Sequence, residues 1–491
     1  MYRVYLDWNV ISNLKRIDVE KFGQLRLKIK ENQDRLLIPF TTAHIDDLKK
    51  SLKPGMSDDL LLKDFDLLSE ISNNEFINWT KNNNTEPFIG EPNAFYYENK
   101  DSWINQNSVD ISNVFTSLSS TFNEIGMNSF GETFVNLFKS MPLGDFFPKN
   151  EINKTFNITS DYNNMWEFLN VFAEVMNGML NKKEDFLKLR DNAQNNGLHD
   201  IARKSANWED EKVFDNIDEI LKSLGVQQTT LELSDFVVKQ FKKDKATIYD
   251  EFTTLYLCLD MIGYKSDKLS KPMNTMTNIT NDGLHSFYGA HCEYLITDDK
   301  NLARKSKAIY HKLGLPTKVL STSELVESFD EIIPHKYKNY SDFITDLIYI
   351  LSPENFIEEN DFENGLKANI FQIPHLAFDF FNFAIQTYYP EYNTTEIVFR
   401  RAFKNYSRFI FHREVDTLIA YVLTVCGYEI TDAITTEVRN TVTKEDGMFL
   451  VIDTDFYKIA LANDDYKIKL VLMIDHEKAD KQIEKQENTS P

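Results

Sequence analysis

Four acidic clusters in the first 300 residues have the residue types and the placing needed to bind a metal ion. They are Asp7, the pair Asp46-Asp47, Asp282 and the pair Asp298-Asp299. Asp7 and Asp299 each follow a short apolar run and precede a helical pattern, so we expect them at the carboxyl ends of parallel strands, where ligands bind. Carboxylates that converge there repel one another unless a cation lies between them. Oxygen-rich sites of this kind suit Mg²⁺ or Mn²⁺, and the expected ligands are Asp7, Asp47, Asp282 and Asp299.

Several polar neighbours of these acids could orient the ligands. Asn9 and Thr297 could each hold a carboxylate or a water molecule through a hydrogen bond. Asp46 and Asp298 are adjacent to expected ligands, and we assign them a supporting position around the site.

Each of these side chains also has an ordinary structural explanation. Aspartate is a favoured N-cap, which explains any one acid at the start of a helix, and Asp47 inside a helix would by default lie on a solvated face. His44 and His285 each lie three residues from an acid, so either could reach the site. A lone histidine is nevertheless more often a core or surface residue. The order of all four acids together favours the metal site.

The apolar periodicity predicts α/β structure in two separated segments. In the first, we expect strands at 2–7 and 35–40 and helices at 9–30 and from Thr41 or Thr42, whose hydroxyl could cap it. The elements expected in the second are helices at 246–263, 282–292 and near 300–312, and strands at 293–297 and 317–320. Residues 51–245 have mainly helical spacing, which indicates an insertion between the two segments.

Residues 331–491 are predicted to form a further domain. Helical patterns dominate 340–425, and strands are expected at 449–452 and 468–474. The chain of 491 residues, 42% hydrophobic and 26% charged, is therefore expected to form two to three folded domains.

The net charge of −22 argues against a protein that coats nucleic acid through a general basic field. It does not exclude a nuclease, since a local basic patch or a bound metal can attract phosphate. The three cysteines are odd in number and far apart, which indicates a reducing compartment. Without a signal-peptide pattern or an apolar run of about 18 residues, we expect a cytoplasmic protein with no membrane contact.

The stretch 397–413, called the basic stretch below, is rich in cations and contains no acid. Its aromatic and apolar residues recur at helical spacing, so we predict an amphipathic helix. The cations expected to grip substrate phosphates are Arg400, Arg401, Lys404 and Arg408. The alternative is a solvated helix face over a core stripe. The next basic cluster contains Lys239, Lys242, Lys243 and Lys245.

The order of these motifs resembles the PIN domain, a metal-dependent nuclease module. The motifs are Asp7 with Asn9 two positions later, Asp47-Leu48 after Thr41-Thr42, a helix opened by Asp282, Thr297-Asp298-Asp299 after an apolar strand, and a closing stretch Val319–Leu325. The resemblance covers residues 1–50 and about 246–330, which would be the two parts of a PIN-like domain. Residues 51–245 would be a helical insertion and residues 331–491 an accessory domain that resembles no family we recognise.

The resemblance implies an α/β fold with a PIN-like parallel sheet flanked by helices, a large helical insertion, and a mainly helical C-terminal domain with some strands. It implies hydrolysis of phosphodiester bonds at an Mg²⁺ or Mn²⁺ site, in RNA more than in DNA, without a protein nucleophile. The alternative is a catalytically inactive PIN-derived scaffold that binds nucleic acid or a protein partner. A partner or a second copy of the chain would dock on the insertion or the C-terminal domain. A haloacid-dehalogenase-like phosphatase fits poorly, because it needs Asp and Thr where the chain has Asn9 and Ile11.

Overall fold

The fold is taken from a computed structural model of the chain. The residues it describes are 1–51, 58–80, 84–104, 182–193, 207–223, 247–266, 276–334, 336–361, 365–464 and 467–487, with short pieces between 149 and 175, at 204–205 and at 229–232. The cluster of Lys239, Lys242, Lys243 and Lys245 lies outside the described residues.

The described strands and helices are numbered in chain order. The strands are β1 (Tyr2–Leu6), β2 (Leu36–Leu37), β3 (Glu75–Trp79), β4 (Thr85–Ile89), β5 (Tyr294–Ile296), β6 (Lys318–Leu320), β7 (Phe356–Asp361), β8 (Lys367–Ala377), β9 (Phe381–Tyr389), β10 (Thr394–Arg400), β11 (Met448–Asp453), β12 (Tyr457–Asp464) and β13 (Lys467–Asp475). The helices are α1 (Trp8–Asn13), α2 (Glu20–Glu31), α3 (Thr42–Ser51), α4 (Asp58–Ser72), α5 (Pro92–Ile104), α6 (Lys183–Ala193), α7 (Val213–Ser223), α8 (Ile248–Met261), α9 (Met276–Gly289), α10 (Lys300–Lys312), α11 (Thr322–Glu327), α12 (Phe329–Ile332), α13 (Tyr340–Ile350), α14 (His412–Val425), α15 (Asp432–Val442) and α16 (His476–Glu487).

A four-stranded parallel sheet joins the first segment of the chain to residues 294–320, with the strand order β2-β1-β5-β6. Strand β1 lies between β2 and β5, and Leu6 is opposite Ile296. All five residues of β1 are buried, as in parallel strands that helices cover on both faces. The prediction of a mixed α/β arrangement with a parallel sheet is confirmed, and the likeness to the PIN family stays a prediction.

Helices pack on both faces of this sheet. Side chains alternate between the two faces along each strand, so β1 contributes buried residues to a core on each side. Tyr5 lies on one face, in a core with apolar residues of α8, α9 and α10. Val4 and Leu6 lie on the other face, in a core with α1, α2 and α4. The buried residues on both faces fix the register of β1, since a slip of one residue would exchange the two sets.

The described part of the insertion contains helices α4 to α7 and the antiparallel hairpin β3-β4. Phe40 links this hairpin to the first segment: its N–H donates to the Glu75 carbonyl (2.9 Å), and its carbonyl accepts from the Ile77 N–H (3.0 Å). The prediction of mainly helical structure for residues 51–245 did not include this hairpin.

The C-terminal part is built on a seven-stranded antiparallel sheet in the order β11-β12-β13-β10-β9-β8-β7. The prediction that helices dominate 340–425, and with it that of a mainly helical C-terminal domain, is wrong: strands β7 to β10 occupy most of the described residues in 356–400, and the α-helices described in this range are α13 and α14. In β10 every second residue is buried, and this period of two decides for a strand. The strands predicted at 449–452 and 468–474 are confirmed as β11 and β13.

The amphipathic helix predicted for the basic stretch is also wrong. The first part of the stretch belongs to β10, and the chain then runs irregularly until α14 begins. Arg400 pairs with a carboxylate of β12 (2.5 Å), and Arg401 is buried and pairs with Glu293 (2.6 Å). Lys404 and Arg408 are exposed. The four cations therefore do not share one helix face.

None of the described helices is both long enough and apolar enough to cross a lipid bilayer. The three cysteines are free thiols.

Buried ion pairs join the parallel sheet to the C-terminal part. Arg3 on β1 donates from Nε and Nη2 to the two carboxylate oxygens of Glu414 (2.9 and 2.5 Å), and both residues are fully buried. Arg35, beside β2, makes a similar two-pronged contact with Asp379 (2.8 and 2.7 Å). Such planar, two-pronged contacts fix orientation as well as distance.

Aromatic rings complete the surroundings of Arg3. Its guanidinium lies over the rings of Phe403, Phe409 and Phe411, 4.9 to 5.4 Å from their centroids. The irregular segment after β10 supplies these rings, and it also supplies the Phe409 carbonyl that accepts from Arg3 Nη2 (2.8 Å). The basic stretch is therefore largely a structural support for β1.

We predict that Glu414→Gln lowers the free energy of unfolding by about 3–5 kcal/mol, because Arg3 would stay buried without its counter-charge. Burial would raise the pKa of Glu414, but the charges of Arg3 and Arg401 hold it at about 2. This pKa lies below that of an unfolded glutamate, so the carboxylate stabilises the fold at neutral pH and loses that effect as the pH falls toward 2.

Urea unfolding at pH 7 and pH 3 checks this prediction, and the gap between wild type and variant should be smaller at pH 3. Glu437→Gln, at an exposed position on α15, is the matched control and should unfold like the wild type. Equal stability of Glu414→Gln and wild type at pH 7 would contradict the role of the ion pair.

Candidate metal centre

The carboxyl ends of β1 and β5 bring Asp7 and Thr297 together. The Asp7 N–H donates to the Ile296 carbonyl (3.0 Å), and the Thr297 hydroxyl donates to Asp7 Oδ2 (2.8 Å). Asp7 occupies the N-cap position of α1, yet its side chain makes no capping hydrogen bond. Helix capping therefore does not explain the Asp7 carboxylate, which is only 4% exposed.

Two helices contribute the other members of the cluster, Asp47 from α3 and His285 from α9. His285 Nε2 lies 2.9 Å from Asp47 Oδ2 and 3.8 Å from Asp7 Oδ1. Each of the three residues offers one ligand atom, and these atoms all lie within 4.8 Å of one another. We call Asp7, Asp47 and His285 the acidic triad.

A buried hydrogen-bond chain holds the imidazole of His285 from behind. Its Nδ1 lies 2.9 Å from the Tyr5 hydroxyl, which lies 2.8 Å from Thr41 Oγ1. Burial raises the pKa of the Tyr5 phenol well above its usual range, so the phenol stays neutral. The Tyr5 hydroxyl can either donate to Nδ1, which leaves the proton on Nε2 facing Asp47, or accept from Nδ1–H, which frees the Nε2 lone pair for a cation.

His44 fills a structural role behind this chain. Its Nδ1 accepts from the Thr41 N–H (3.0 Å), so its proton is on Nε2, which contacts the Leu6 carbonyl at 2.8 Å. Burial lowers the pKa of His44 to about 3, so the ring is neutral near neutral pH. Of the two histidines that the sequence placed one turn from an acid, only His285 contacts the carboxylates.

Asn281 lies one helical turn before His285 and contacts Asp47 from the other side. Its Nδ2 donates to Asp47 Oδ1 (2.7 Å) and to the Ala43 carbonyl (3.2 Å). Its Oδ1 is buried and has no hydrogen-bond partner among the residues that the structure describes, although buried polar atoms are usually satisfied. Sequence reasoning missed Asn281, and its i, i+4 spacing to His285 is the signal that could have found it.

Burial raises the pKa of Asp7, and the charges of Asp47 and Asp299 raise it further, while His285 and the Thr297 hydroxyl lower it. The triad thus holds two carboxylates near one imidazole, with Asp7 and His285 buried and Asp47 partly exposed. Two carboxylates and an imidazole are a donor set that suits a divalent cation, and the nitrogen ligand favours Mn²⁺ over Mg²⁺. The residues present therefore fit the metal that the sequence implied.

Two of the four predicted ligands lie outside the triad. Helix α9 begins at Met276, so the prediction that Asp282 opens it is wrong. Asn281 and His285, not Asp282, present their side chains to Asp47. Asp299 Oδ1 accepts from two backbone N–H groups at the start of α10 and so acts as its N-cap. Its charge still reaches Asp7, as the pKa of Asp7 shows.

The four predicted supporting residues differ in what they contact. Asn9 Nδ2 donates to Thr297 Oγ1 (3.4 Å), so both residues are beside Asp7. Asp298 pairs with Lys21 (2.7 Å), and Asp46 pairs with Lys49 (3.0 Å) on the same helix. The carboxylates of Asp298 and Asp46 thus form ion pairs with lysines.

The substrate-binding residues predicted in the basic stretch are placed elsewhere. Arg401 is held in the contact between β1 and the C-terminal sheet, as described above. Arg400 lies at the far end of β10, and Lys404 lies beside Gln372. None of them contacts a member of the triad.

Comparison with known proteins gives no assignment, since no protein-family profile, no curated protein and no solved structure matches the chain.

We predict that Asp7→Asn raises the melting temperature by a few degrees in the presence of a chelator, because it removes a buried negative charge next to the carboxylate of Asp47. The amide oxygen can still accept from Thr297. Added Mn²⁺ should raise the melting temperature of the wild type, through binding to the folded state, and should leave that of the variant unchanged.

Differential scanning fluorimetry with EDTA and with Mn²⁺ makes this measurement. Asp330→Asn removes an exposed carboxylate on α12 and should keep the response of the wild type to Mn²⁺. If Mn²⁺ leaves the melting temperature of the wild type unchanged, the triad does not bind this metal.

Proposed function

We propose that the chain is a metal-dependent nuclease that hydrolyses phosphodiester bonds, with RNA as the preferred substrate. The acidic triad supports this proposal, because its three ligand atoms lie within 4.8 Å of one another and one of them belongs to Asp7, directly after the carboxyl end of β1. Such sheet ends are where α/β proteins bind ligands. The preference for RNA rests on the resemblance to PIN domains.

Asp7, Asp47 and His285 would hold the cation, and Mn²⁺ or Mg²⁺ is the ion proposed. When bound, such an ion lowers the pKa of a water molecule to near neutrality and offsets negative charge on the phosphate. The remaining groups hold these ligands in place: Thr297 orients the Asp7 carboxylate, Asn281 orients Asp47, and Tyr5 orients the His285 ring. Such surrounding hydrogen bonds fix both the direction and the basicity of metal ligands.

The proposed hydrolysis does not require a nucleophile from the protein. The hydroxyls of Tyr5, Thr41 and Thr297 are each engaged in hydrogen bonds, and burial raises the pKa of the nearby Cys292 thiol well above its usual range. Water is thus the proposed attacking group, as in other hydrolyses at carboxylate-bound metals.

One contact favours a second function, a scaffold that binds without cutting. The His285 ring lies between the two carboxylates and, when it carries both protons, neutralises part of their charge without a metal. A cluster that is compensated in this way could be a purely structural part of the fold. Metal binding separates the two functions, since the scaffold has no need of Mn²⁺.

We predict that Asp7→Asn and Asp47→Asn each lower Mn²⁺-dependent cleavage of single-stranded RNA by at least about a hundredfold, because each removes a ligand of the ion. The measurement is the initial rate of cleavage of a fluorescent oligonucleotide, with wild type and variants compared at equal folded concentration. Single-stranded DNA of the same sequence tests the preference for RNA.

Asp330→Asn is again the control, and it should cleave at the rate of the wild type. Full activity of Asp7→Asn would contradict the proposed mechanism. Absence of cleavage by a wild type that binds Mn²⁺ and RNA would favour the scaffold.

A further inference from the structure

Helix α10 presents a basic face to solvent next to the triad. Lys300, Arg304, Lys307 and His311 recur at i, i+4, i+7 and i+11, which is one face of a helix. Lys300, Lys307 and His311 are exposed and Arg304 is partly exposed, whereas Leu302, Lys305, Ser306 and Ile309 are buried. We call this face the α10 stripe. It was not predicted from the sequence.

The α10 stripe forms a wall of two neighbouring clefts. The first has a volume of 650 Å³, and the cations that line it are Lys21, Lys265, Lys300, Arg304 and Lys307. The second has a volume of 720 Å³ and is lined by Arg304, Lys307, His311 and Lys318, facing three acids at 209–211. Arg304 and Lys307 belong to both clefts, so the stripe connects them.

Some of these cations are already paired, and some are not. Lys21 pairs with Asp298 (2.7 Å), and Arg304 pairs with Asp210. Neither Lys300 nor Lys307 forms an ion pair within the part of the chain that the structure describes. Three acids, Asp298, Asp299 and Glu324, line the same cleft. The five cations still outnumber them, so in a chain with a net charge of −22 the cleft is a local excess of positive charge that attracts anions.

The first cleft reaches a direct neighbour of the triad. Thr297 lines the cleft, and its hydroxyl donates to Asp7. The cleft therefore reaches to within one hydrogen bond of the Asp7 carboxylate. An anionic chain lying along the α10 stripe would be led to the proposed metal ion.

We propose that the α10 stripe and its two clefts bind the phosphate backbone of a single-stranded polynucleotide. Asp7 is 4% exposed, and a stiff duplex could not bring a phosphate to so recessed a group. A flexible single strand could enter the cleft, with Lys300 and Lys307 against successive phosphates. Basic grooves that track the backbone are the usual means of binding single strands.

This inference depends on the proposed function for the fate of the strand, but not for its binding. Binding can therefore be measured without a metal, where no cleavage occurs. The probe is fluorescein-labelled oligouridylate of about 12 nucleotides, within the usual size of single-strand sites. Oligodeoxythymidylate of the same length, an RNA duplex and polyglutamate are compared with it by fluorescence anisotropy in EDTA.

The test variant is Lys300→Glu with Lys307→Glu, and the matched control is Lys338→Glu with Lys444→Glu. The control changes the net charge equally at two exposed lysines of the C-terminal part. We expect the test variant to bind oligouridylate about tenfold more weakly at moderate salt, with a salt slope smaller by about 1.4, since each single-strand phosphate contact contributes about 0.7. The control should match the wild type, and both variants should keep the response of the melting temperature to Mn²⁺.

Equal affinity of test and control variants would overturn the inference, even if Asp7→Asn abolishes cleavage and the nuclease function stands. Binding of the RNA duplex or polyglutamate as tight as that of the single strand would overturn it too, and would indicate a site for duplexes or for acidic protein segments. Loss of single-strand binding in the test variant alone, with no effect of Asp7→Asn on cleavage, would support the clefts and reject the hydrolysis. Equal binding of RNA and DNA single strands would show that the backbone phosphates alone are recognised.

Discussion

The side chains on one face of strand β1 determine where most of their surroundings lie. Arg3, Tyr5 and Asp7 share that face because side chains alternate along a strand. Arg3 is held by Glu414, Tyr5 contacts the ring of His285, and Asp7 is part of the triad. Two residues of β1 and the residue that follows the strand thus connect the C-terminal sheet, the support of the imidazole and the candidate metal site, so a shift of β1 would disturb all three.

The two ends of this face differ in how far their buried charges are compensated by neighbouring opposite charges. The positive charge of Arg3 is matched inside the protein by Glu414, and the neighbouring Arg401 and Glu293 form a second pair. At Asp7, two carboxylates face one imidazole, and burial raises the pKa of Asp7. A buried charge without full compensation disfavours the fold, so the well-matched end helps to keep the strand in place while the other end stays available to a cation.

The order of strands and helices around the parallel sheet could be predicted, because short apolar runs alternate with capping residues. Thr247 with Asp250 and Ser321 with Glu324 each form a capping box at the start of a helix. Strands β7 to β10 of the C-terminal sheet were missed because they are rich in aromatic residues, whose spacing there resembles that of an amphipathic helix. In β10 only the burial of alternate residues separates the two patterns.

The candidate site was predictable only in part. Asp7 and Asp47 lie close together, as their positions at a strand end and near a helix start indicated. Asp282 is not part of the triad, because α9 begins six residues earlier and Asp282 does not open the helix. That extension gives the inner helix face to Asn281 and His285. The spacing of His285 from Asp282 showed that it could reach the site, but no local pattern distinguished it from His44, since its orienting partner Tyr5 lies 280 residues away. The ion pair of Arg3 could not be predicted for the same reason, because its partner Glu414 lies 411 residues away.

The long separation between β1 and its partners has a consequence for biosynthesis. Arg3 and Glu414 are 411 residues apart, and Asp7 and Thr297 are 290 apart. A ribosome synthesises the chain from the amino end, so β1 emerges long before β5 or α14 exists, and the triad cannot form until residue 285 has appeared. During that time β1 is an apolar, β-prone segment with unpaired edges, the kind of segment that aggregates. The charge of Arg3 within the strand opposes such self-association before Glu414 is made. The Arg3 guanidinium would therefore first oppose aggregation of the nascent chain and later hold β1 against the C-terminal part through its ion pair with Glu414.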